Sequence, residues 1–203
     1  MKIKKRFLVI AFSFFMLFIF LVIEHVRVEV NEREVFFENL PDEFDGFRIL
    51  VFADIHYRNI FGNIWLNYLK KRISNKDFDL IVGLGDFLHF AESEEAVNRI
   101  WKFLANLKAP YGKYYIAGNH EYKSANHGLL ELFNKSSFYL RHKTEFIERG
   151  GAKICLIGGG EFWNDLPGIN RNLAMLDEKI FKIVLFHNPD SLYFNRDKRV
   201  DFF

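Results

Sequence analysis

The stretch Phe47-Arg48-Ile49-Leu50-Val51-Phe52-Ala53-Asp54-Ile55-His56 decides the fold, because a mostly apolar run of strand length ends directly in an Asp-x-His motif. Such a run, bounded by polar residues, is typical of a buried strand in a parallel sheet. Side chains two residues apart in an extended chain point the same way, so Asp54 and His56 are both expected to reach one ion. The stretch predicts an α/β fold with ligands at the carboxyl end of a strand.

Three later runs of the chain end in the same manner: Asp79–Leu84 before Gly85-Asp86, Lys113–Ala117 before Gly118-Asn119-His120-Glu121, and Phe181–Phe186 before His187. Open α/β sheets gather their sites where the carboxyl ends of parallel strands meet. We therefore expect these oxygen and imidazole donors to lie together. Their order along the chain outlines a dinuclear metal site and predicts a hydrolase.

Each donor suits a particular role at a pair of metal ions. Asp86 is the expected bridge, because a carboxylate can bind two cations with its two oxygens. Asn119 offers an amide oxygen, and His187 adds an imidazole nitrogen to the second ion. His120 would point toward a substrate and protonate the leaving oxygen of a phosphoryl transfer. Glu121 is expected to hold the imidazole of His120 by a hydrogen bond.

Two further residues are candidates for lining this site. His89 follows Asp86 by three residues, and Arg58 follows His56 by two. Arg58 could contact a substrate phosphate, although a solvated surface arginine is the alternative. The ligand set contains nitrogen and oxygen but no sulfur, which favours two divalent ions such as Mn²⁺, Zn²⁺ or Fe without choosing among them.

The distribution of charge excludes one class of partner. Four of the 28 basic residues precede the first acidic residue, Glu24, which leaves 24 basic against 26 acidic residues in the remainder. A mildly acidic body lacks the basic stripe that nucleic-acid binding needs, so no nucleic-acid partner is expected. The single cysteine, Cys155, lies in an apolar run, so no intrachain disulfide is possible and a buried core thiol is predicted.

The amino terminus has the features of a membrane anchor. Phe7–Ile23 contains no charged residue, and four cations flank it at Lys2–Arg6. Its length is at the short end of what spans a bilayer. No site of small residues follows that would suit cleavage of a signal peptide. The sequence predicts a single-pass anchor over residues 1–24, with its basic end in the cytoplasm and the remaining chain extracytoplasmic.

Beyond the anchor, residues 25–46 are expected to form a leading strand and a connection, because valines alternate with charged residues there. A strand–helix rhythm follows over residues 47–203. Helices are predicted at Asn63–Ser74, Ser93–Leu107 with Ser93 as cap, Ala125–Phe133 and Asn170–Lys179. Gly150-Gly151 between two apolar segments predicts a hairpin. Gly158-Gly159-Gly160 is expected to form a turn, since it lacks the lysine of a phosphate-binding loop.

Taken in this order, the motifs at Asp54, His56, Asp86, Gly118–Glu121 and His187 resemble those of the calcineurin-like metallophosphoesterase superfamily. The resemblance implies a four-layer α-β-β-α sandwich over residues 47–203. It also implies that Asp54, His56 and Asp86 hold one metal, that Asp86, Asn119 and His187 hold the other, and that His120 is catalytic. The anchor and the segment Ile157–Trp163 resemble the membrane-associated branch, which includes phosphodiesterases and UDP-2,3-diacylglucosamine pyrophosphatases.

One feature of the family is missing from this sequence. The family carries a later Gly-His-x-His motif whose imidazoles complete both metals, and the sequence contains no such motif. We therefore expect a sandwich that is incomplete at its carboxyl terminus. Two functional hypotheses follow: a phosphoesterase that cleaves a phosphodiester or pyrophosphate, on a lipid-linked substrate such as UDP-2,3-diacylglucosamine, by two-metal hydroxide attack, or an inactive truncated relative.

Overall fold

The computed structural model describes residues 2–58, 62–74, 76–90, 93–123, 128–194 and 199–203. The chain divides into two compact units, one of residues 1–34 and 63–76 and one of residues 35–62 and 77–203. The helices are α1 (Lys2–Val26), α2 (Gly62–Ser74), α3 (Glu94–Asn106), α4 (Asn119–Lys123), α5 (Gly128–Asn134), α6 (Phe162–Ala174) and α7 (Ser191–Phe194). The strands are β1 (Ile49–Phe52), β2 (Leu80–Gly83), β3 (Lys113–Tyr115), β4 (Thr144–Arg149), β5 (Ala152–Gly160) and β6 (Phe181–Phe186).

The first unit consists of α1, the segment that follows it, and most of α2. Within α1, the stretch Arg6–Glu24 is long and apolar enough to cross a membrane, judged by length and composition. In α2, Leu66, Leu69 and Ile73 are buried as the helical pattern predicts, whereas Ile64 is exposed. The described part of the anchor predicted for residues 1–24 therefore lies in one continuous helix, α1.

The leading strand predicted within residues 25–46 is wrong. The helix α1 continues to Val26, and residues 27–37 have no regular secondary structure. Alternating valines favour a strand only where a neighbouring strand accepts its hydrogen bonds, and the described residues provide none here. Arg27 instead forms ion pairs with Glu24 and Glu29. A 3₁₀ turn at Asp42–Phe44 precedes β1 within the second unit.

Two three-stranded sheets form the second unit. The first has the order β1-β2-β3, and all of its strands are parallel. The second has the order β4-β5-β6, with β4 antiparallel to β5 and β6 parallel to β5. Gly150 and Gly151, both with positive φ, connect β4 to β5, which confirms the predicted hairpin. Phe202 forms a parallel bridge to Ile183 beside β6.

The core lies between the two sheets. Apolar side chains of β2, β4, β5 and β6 form one cluster: Leu80, Val82, Ile147, Ile154, Leu156, Phe181, Ile183 and Leu185. The opposite face of the second sheet packs Cys155, Ile157 and Val184 against Ile169 and Leu173 of α6. On the first sheet, the hydroxyl of Tyr115 donates to the carbonyl of Leu104 in α3, and its ring contacts Phe133 of α5. The predicted α/β architecture is confirmed.

Several local predictions can be compared with the structure. Ser93 caps α3 by accepting from the amide of Ala96, as predicted, and Cys155 is buried. The predicted turn at Gly158-Gly159-Gly160 is wrong, because these glycines continue β5. A Cβ on Gly158 would lie 1.6 Å from the carbonyl oxygen of Leu140, so the glycine permits a close backbone approach.

Two predicted helices have different bounds. The helix predicted at Asn170–Lys179 begins earlier, at Phe162, and ends at Ala174. The start of the helix predicted at Ala125–Phe133 lies outside the described residues, and its described part is α5. Sequence periodicity placed both helices but not their ends, because a helix end depends on capping and on local hydrogen bonds.

Candidate metal centre

The loops that follow β1 and β2 place their ligands on left-handed backbone. Asp54, His56 and Asp86 have φ values of 54°, 44° and 53°. Residues other than glycine rarely adopt this region, and such outliers concentrate at functional sites. The extended chain assumed for Asp54 and His56 is therefore wrong. Their side chains nevertheless converge, because the left-handed backbone turns both toward Asp86.

Backbone hydrogen bonds hold these two loops against each other. The amide of Asp54 donates to the carbonyl of Gly85 at 3.0 Å, and the amide of His56 donates to that of Asp86 at 2.9 Å. Gly85 has a φ of 95°, and a Cβ on it would lie 2.2 Å from the amide nitrogen of Gly118. Only glycine allows the strand ends to approach this closely. The ligand positions are therefore fixed by main-chain geometry.

One predicted ligand set comprises Asp54, His56 and Asp86. The Nε2 atom of His56 lies 3.3 Å from Oδ1 of Asp54 and 3.6 Å from Oδ2 of Asp86. One potential ligand atom from each of the three residues lies within 4.8 Å of the others. The structure thus brings together the three side chains that the sequence assigned to the first metal.

The other predicted set shares Asp86 and adds Asn119 and His187. Nε2 of His187 lies 3.5 Å from Oδ1 of Asp86 and 3.2 Å from Oδ1 of Asn119. On the other side of the ring, Nδ1 of His187 lies 2.8 Å from the carbonyl oxygen of Leu84. Donation from Nδ1 to this carbonyl leaves the lone pair of Nε2 directed at the two oxygens. Three acceptor atoms therefore face one another, which is the arrangement that a cation stabilises.

The pKa shifts of His187 and Asp86 also indicate that positive charge is favoured in this set. Burial opposes protonation of His187, but its hydrogen bond to Asp86 and the charge of that carboxylate outweigh burial and raise its pKa to about 9. Burial opposes ionisation of Asp86, yet hydrogen bonds from His187 and from the backbone of His120 lower the pKa of its carboxyl. The carboxylate of Asp86 thus favours positive charge at His187.

The donor atoms themselves test whether metal ions fit this centre. Nε2 of His56 faces carboxylate oxygens of Asp54 and Asp86, and Nε2 of His187 faces oxygens of Asp86 and Asn119. Two carboxylates and two imidazoles that converge in this way are a set of ligands for divalent cations. The carboxylates, imidazoles and amide oxygen present are those that Mn²⁺, Zn²⁺ or Fe accept. The residues present fit a pair of divalent ions.

His120 lies where the open side of the centre begins. Its Nε2 atom is 3.8 Å from Oδ2 of Asp86, and its ring lies 4.4 Å from that of His56. Phe90 stacks on the imidazole at a centroid distance of 3.6 Å. Burial, together with the neighbouring imidazoles, lowers the pKa of His120 despite the attraction of Asp86. No sequence pattern marks Phe90, because its contact with His120 arises only in the folded chain.

The hydrogen bond expected from Glu121 to the imidazole of His120 is wrong. The carboxylate of Glu121 is buried and instead accepts from four backbone amides, those of Asp86, Phe87, Leu88 and Gly118, at 2.8–3.3 Å. Burial raises the pKa of Glu121 to about 7, although these amides oppose the shift. Glu121 therefore joins the loop after β2 to the loop after β3, and it positions Asp86 rather than His120.

Arg58 and His89 pair with each other at the edge of the centre. One terminal nitrogen of Arg58 lies 2.7 Å from Nε2 of His89. One ring nitrogen of His89 also lies within 4.8 Å of a ring nitrogen of His56 and of one of His120. The structure thus brings both candidate lining residues to the site. Arg58 has a specific partner there rather than being only solvated.

Comparisons with known proteins agree with this geometry. The family profile of calcineurin-like phosphoesterases matches residues 47–202. The metallophosphoesterase YkuE of Bacillus subtilis is 27% identical over 83% of this chain and 60% of its own length. The UDP-2,3-diacylglucosamine pyrophosphatase LpxG of Chlamydia muridarum is 33% identical over 78% of this chain and 63% of its own. A zebrafish (Danio rerio) transmembrane protein with a metallophosphoesterase domain is 27% identical over 70% of this chain and 31% of its own.

This chain spans less than two thirds of the length of each of these relatives. The profile nevertheless covers both sheets and every residue of the two ligand sets. The order of the ligands along the chain and their convergence in space agree with the match. The chain therefore belongs to the calcineurin-like phosphoesterase family.

Proposed function

We propose that this chain is a metal-dependent phosphoesterase that holds two divalent ions and hydrolyses a phosphodiester or a pyrophosphate. The observation that carries the proposal is the position of Asp86. One of its carboxylate oxygens, Oδ2, faces His56, and the other, Oδ1, faces His187. A carboxylate placed between two ligand sets in this way can bridge two cations.

Asp86 and the residues around it would have different roles in metal binding and proton transfer. Two bound divalent ions would supply an activated water and would screen the charge of the phosphate. Asp54 and His56 would hold one ion, Asn119 and His187 the other, and Asp86 both. His120, outside both sets, would donate a proton to the leaving oxygen, which contributes ~10²–10⁴ in rate.

The substrate class follows from the relatives rather than from the metal ligands. A relative with 33% identity is named as a UDP-2,3-diacylglucosamine pyrophosphatase. We therefore propose that the substrate of this chain is a lipid-linked phosphate or pyrophosphate ester. Helix α1 would anchor the protein in the membrane that contains such a lipid, over residues 1–24, with residues 47–203 as the catalytic domain.

The orientation in the membrane can be tested directly. Basic residues near a span set its orientation, and Lys2, Lys4, Lys5 and Arg6 precede the apolar stretch. We expect the amino terminus in the cytoplasm and the catalytic domain outside it. Alkaline phosphatase fused after Val30 should then be active. An inactive fusion, beside an active cytoplasmic reporter at the same position, would reverse the proposed topology.

The role of Asp86 is tested by its replacement in the full chain. Because Asp86 belongs to both ligand sets, Asp86→Ala should lower the bound metal more than Asn119→Ala or His187→Ala does. Loss of metal-orienting groups costs ~10–100-fold in affinity or activity, and a bridging ligand should cost at least that. Metal content after gel filtration and hydrolysis of bis(p-nitrophenyl) phosphate are the measurements.

Two outcomes would contradict the proposal. Full metal occupancy in Asp86→Ala would show that Asp86 is not the bridge. A wild-type protein that binds two ions but hydrolyses no phosphodiester or pyrophosphate in a substrate panel would support the alternative, an inactive relative. Glu131→Ala, at an exposed position of α5, is the matched control for loss of a carboxylate.

A further inference from the structure

A second buried carboxylate, Asp165, lies outside both ligand sets and has four hydrogen-bonding partners. Its side chain is fully buried and lies 2.9 Å from Nε of Arg141 and 3.0 Å from Nε2 of His142. It also accepts from the hydroxyl of Tyr122 at 2.8 Å and from the amide of Glu161 at 3.0 Å. The four donors come from three separate segments, so Asp165 fixes these segments relative to one another.

This network holds the guanidinium of Arg141 in one orientation. The carboxylate of Asp165 contacts only Nε, and the ring of Tyr122 lies 5.1 Å from the guanidinium carbon. The two terminal nitrogens have no hydrogen-bond partner among the residues that the structure describes. The side chain of Arg141 is 39% exposed. A guanidinium that is fixed through Nε, whose terminal N–H groups have no partner among the described residues and whose side chain is partly exposed, is prepared to bind an anion in bidentate fashion.

The backbone places Arg141 at the same edge of the molecule as the metal centre. Tyr139 forms a parallel bridge with Tyr115 of β3, so the chain leaves Leu140 at the carboxyl end of the first sheet. Tyr122 follows His120 by two residues within α4. Glu161 follows Gly160, whose carbonyl accepts from the amide of His187 at 3.0 Å. Asp165 therefore connects Arg141 to the segments that carry both His120 and His187.

We infer that Arg141 forms an anion subsite beside the metal centre, which binds a second, non-reacting phosphate of the substrate. The inference rests on the proposed function and narrows its substrate class to diphosphate esters or to phosphodiesters with a further phosphate group. Asp165 and Tyr122 are positioning residues, because they act on the substrate only through Arg141. The guanidinium recognises the charge and the paired oxygens of phosphate, whatever organic group the phosphate carries.

The test compares two ligands that differ by one phosphate, uridine monophosphate and uridine diphosphate. Their affinities are measured by calorimetry on the full chain in detergent with Mn²⁺, for the wild type, Arg141→Gln and Arg141→Lys. Arg99→Gln is the control, because Arg99 is also ion-paired and partly exposed but lies on α3. The Arg141 variants should fold, since Asp165 keeps its other three donors, and thermal melting verifies this.

We expect Arg141→Gln to weaken diphosphate binding about ten- to hundredfold, the usual effect of losing a charge-assisted hydrogen-bonding pair. Monophosphate binding should change by less than about threefold, and Arg141→Lys should show an intermediate loss. An equal change for both nucleotides, or an unchanged affinity for the diphosphate, would overturn the inference. Should Arg141→Gln unfold, the same criterion applies to Arg141→Lys.

Hydrolysis of bis(p-nitrophenyl) phosphate by the same wild-type sample separates this inference from the proposed function. A protein that hydrolyses this ester but binds both nucleotides equally in the wild type and in Arg141→Gln keeps the proposed function and loses the subsite. A protein without hydrolysis, whose Arg141→Gln variant selectively loses diphosphate binding, keeps the subsite and loses the proposed function.

Discussion

The two ligand sets around Asp86 differ in how firmly the fold holds them. His187 and Asp86 have side chains only 7% and 4% exposed, and the carbonyl of Leu84 fixes the ring of His187. His56 and Asp54 are 34% and 61% exposed, and Nδ1 of His56 has no partner among the described residues. One set is therefore held by burial and by a side-chain hydrogen bond, whereas the exposed side chains of the other set are held mainly through their backbone.

Under the proposed function, this difference predicts separate tasks for the two halves of the centre. A buried, preorganised set binds an ion with little loss of side-chain freedom, which favours high affinity. An exposed set beside His120 leaves room for a substrate and for exchange of its ion. We therefore expect a tightly held ion at His187 and a weakly held ion at His56, with proton transfer on the exposed side.

The largest effect on activity is expected from His120→Ala, which tests whether proton transfer takes place on the exposed side of the centre. His120 contacts the oxygen of Asp86 that faces the exposed set, but it belongs to neither ligand set. Metal content should be unchanged, and hydrolysis of an ester with a poor leaving group should fall ~10²–10⁴-fold. An activated nitrophenyl ester needs little help from an acid, so its loss should be smaller. Equal losses on both esters would exclude the role of His120 as general acid.

Separate replacement of His187 and His56 tests the difference in affinity itself. Titration of the metal-free protein with Mn²⁺ should show a tight and a weak site. His187→Ala should weaken the tight site by at least ~10–100-fold, and His56→Ala should weaken the weak site by a similar factor. His142→Ala is the control, because His142 contacts Asp165 and lies outside both ligand sets. Loss of the tight site in His56→Ala would reverse the assignment.

Glu121→Gln should destabilise the connection that both ligand sets share. The amide nitrogen of glutamine cannot accept, so at least one of the four backbone N–H groups would lose its partner in the interior. An unsatisfied buried donor costs about 1–3 kcal/mol in the free energy of unfolding. Urea denaturation measures this loss, with Glu131→Gln on α5 as control. A stability equal to wild type would show that these amides do not depend on Glu121.

The identity of the ligands could be predicted from the sequence because each of the four runs ends in a donor. Paired parallel strands bring Asp54 and Asp86 to one edge, whereas His187 follows a strand of the second sheet and reaches them because the two sheets share one core. The family resemblance supplied the pairing of ligands with ions. Neither step required knowledge of how the loops are hydrogen-bonded.

The supporting contacts could not be predicted in the same way. Three of the four bonds of Glu121, and the stack of Phe90 on His120, join residues that are 30 or more positions apart. The fourth bond of Glu121 comes from Gly118, just after a strand end. No periodicity marks such contacts. Likewise, the alternation of valines after α1 predicted a strand, because the pattern does not show whether a pairing partner exists. Hydrophobic patterning predicts elements, whereas polar networks depend on tertiary geometry.

The smallest effect is expected from Phe90→Ala. This variant tests whether the ring of Phe90 holds His120 in its orientation on the exposed side of the centre. The ring of Phe90 stacks on the imidazole at 3.6 Å, and such pairs contribute about 0.5–1.5 kcal/mol, or roughly two- to tenfold in rate. We expect kcat to fall by this factor, with KM and metal content unchanged, and Phe90→Tyr to restore it. Phe146→Ala is the matched control, because Phe90 and Phe146 are both 41% exposed. A fall in metal content, or an equal fall in Phe146→Ala, would show that the stack supports the fold and not the orientation of His120.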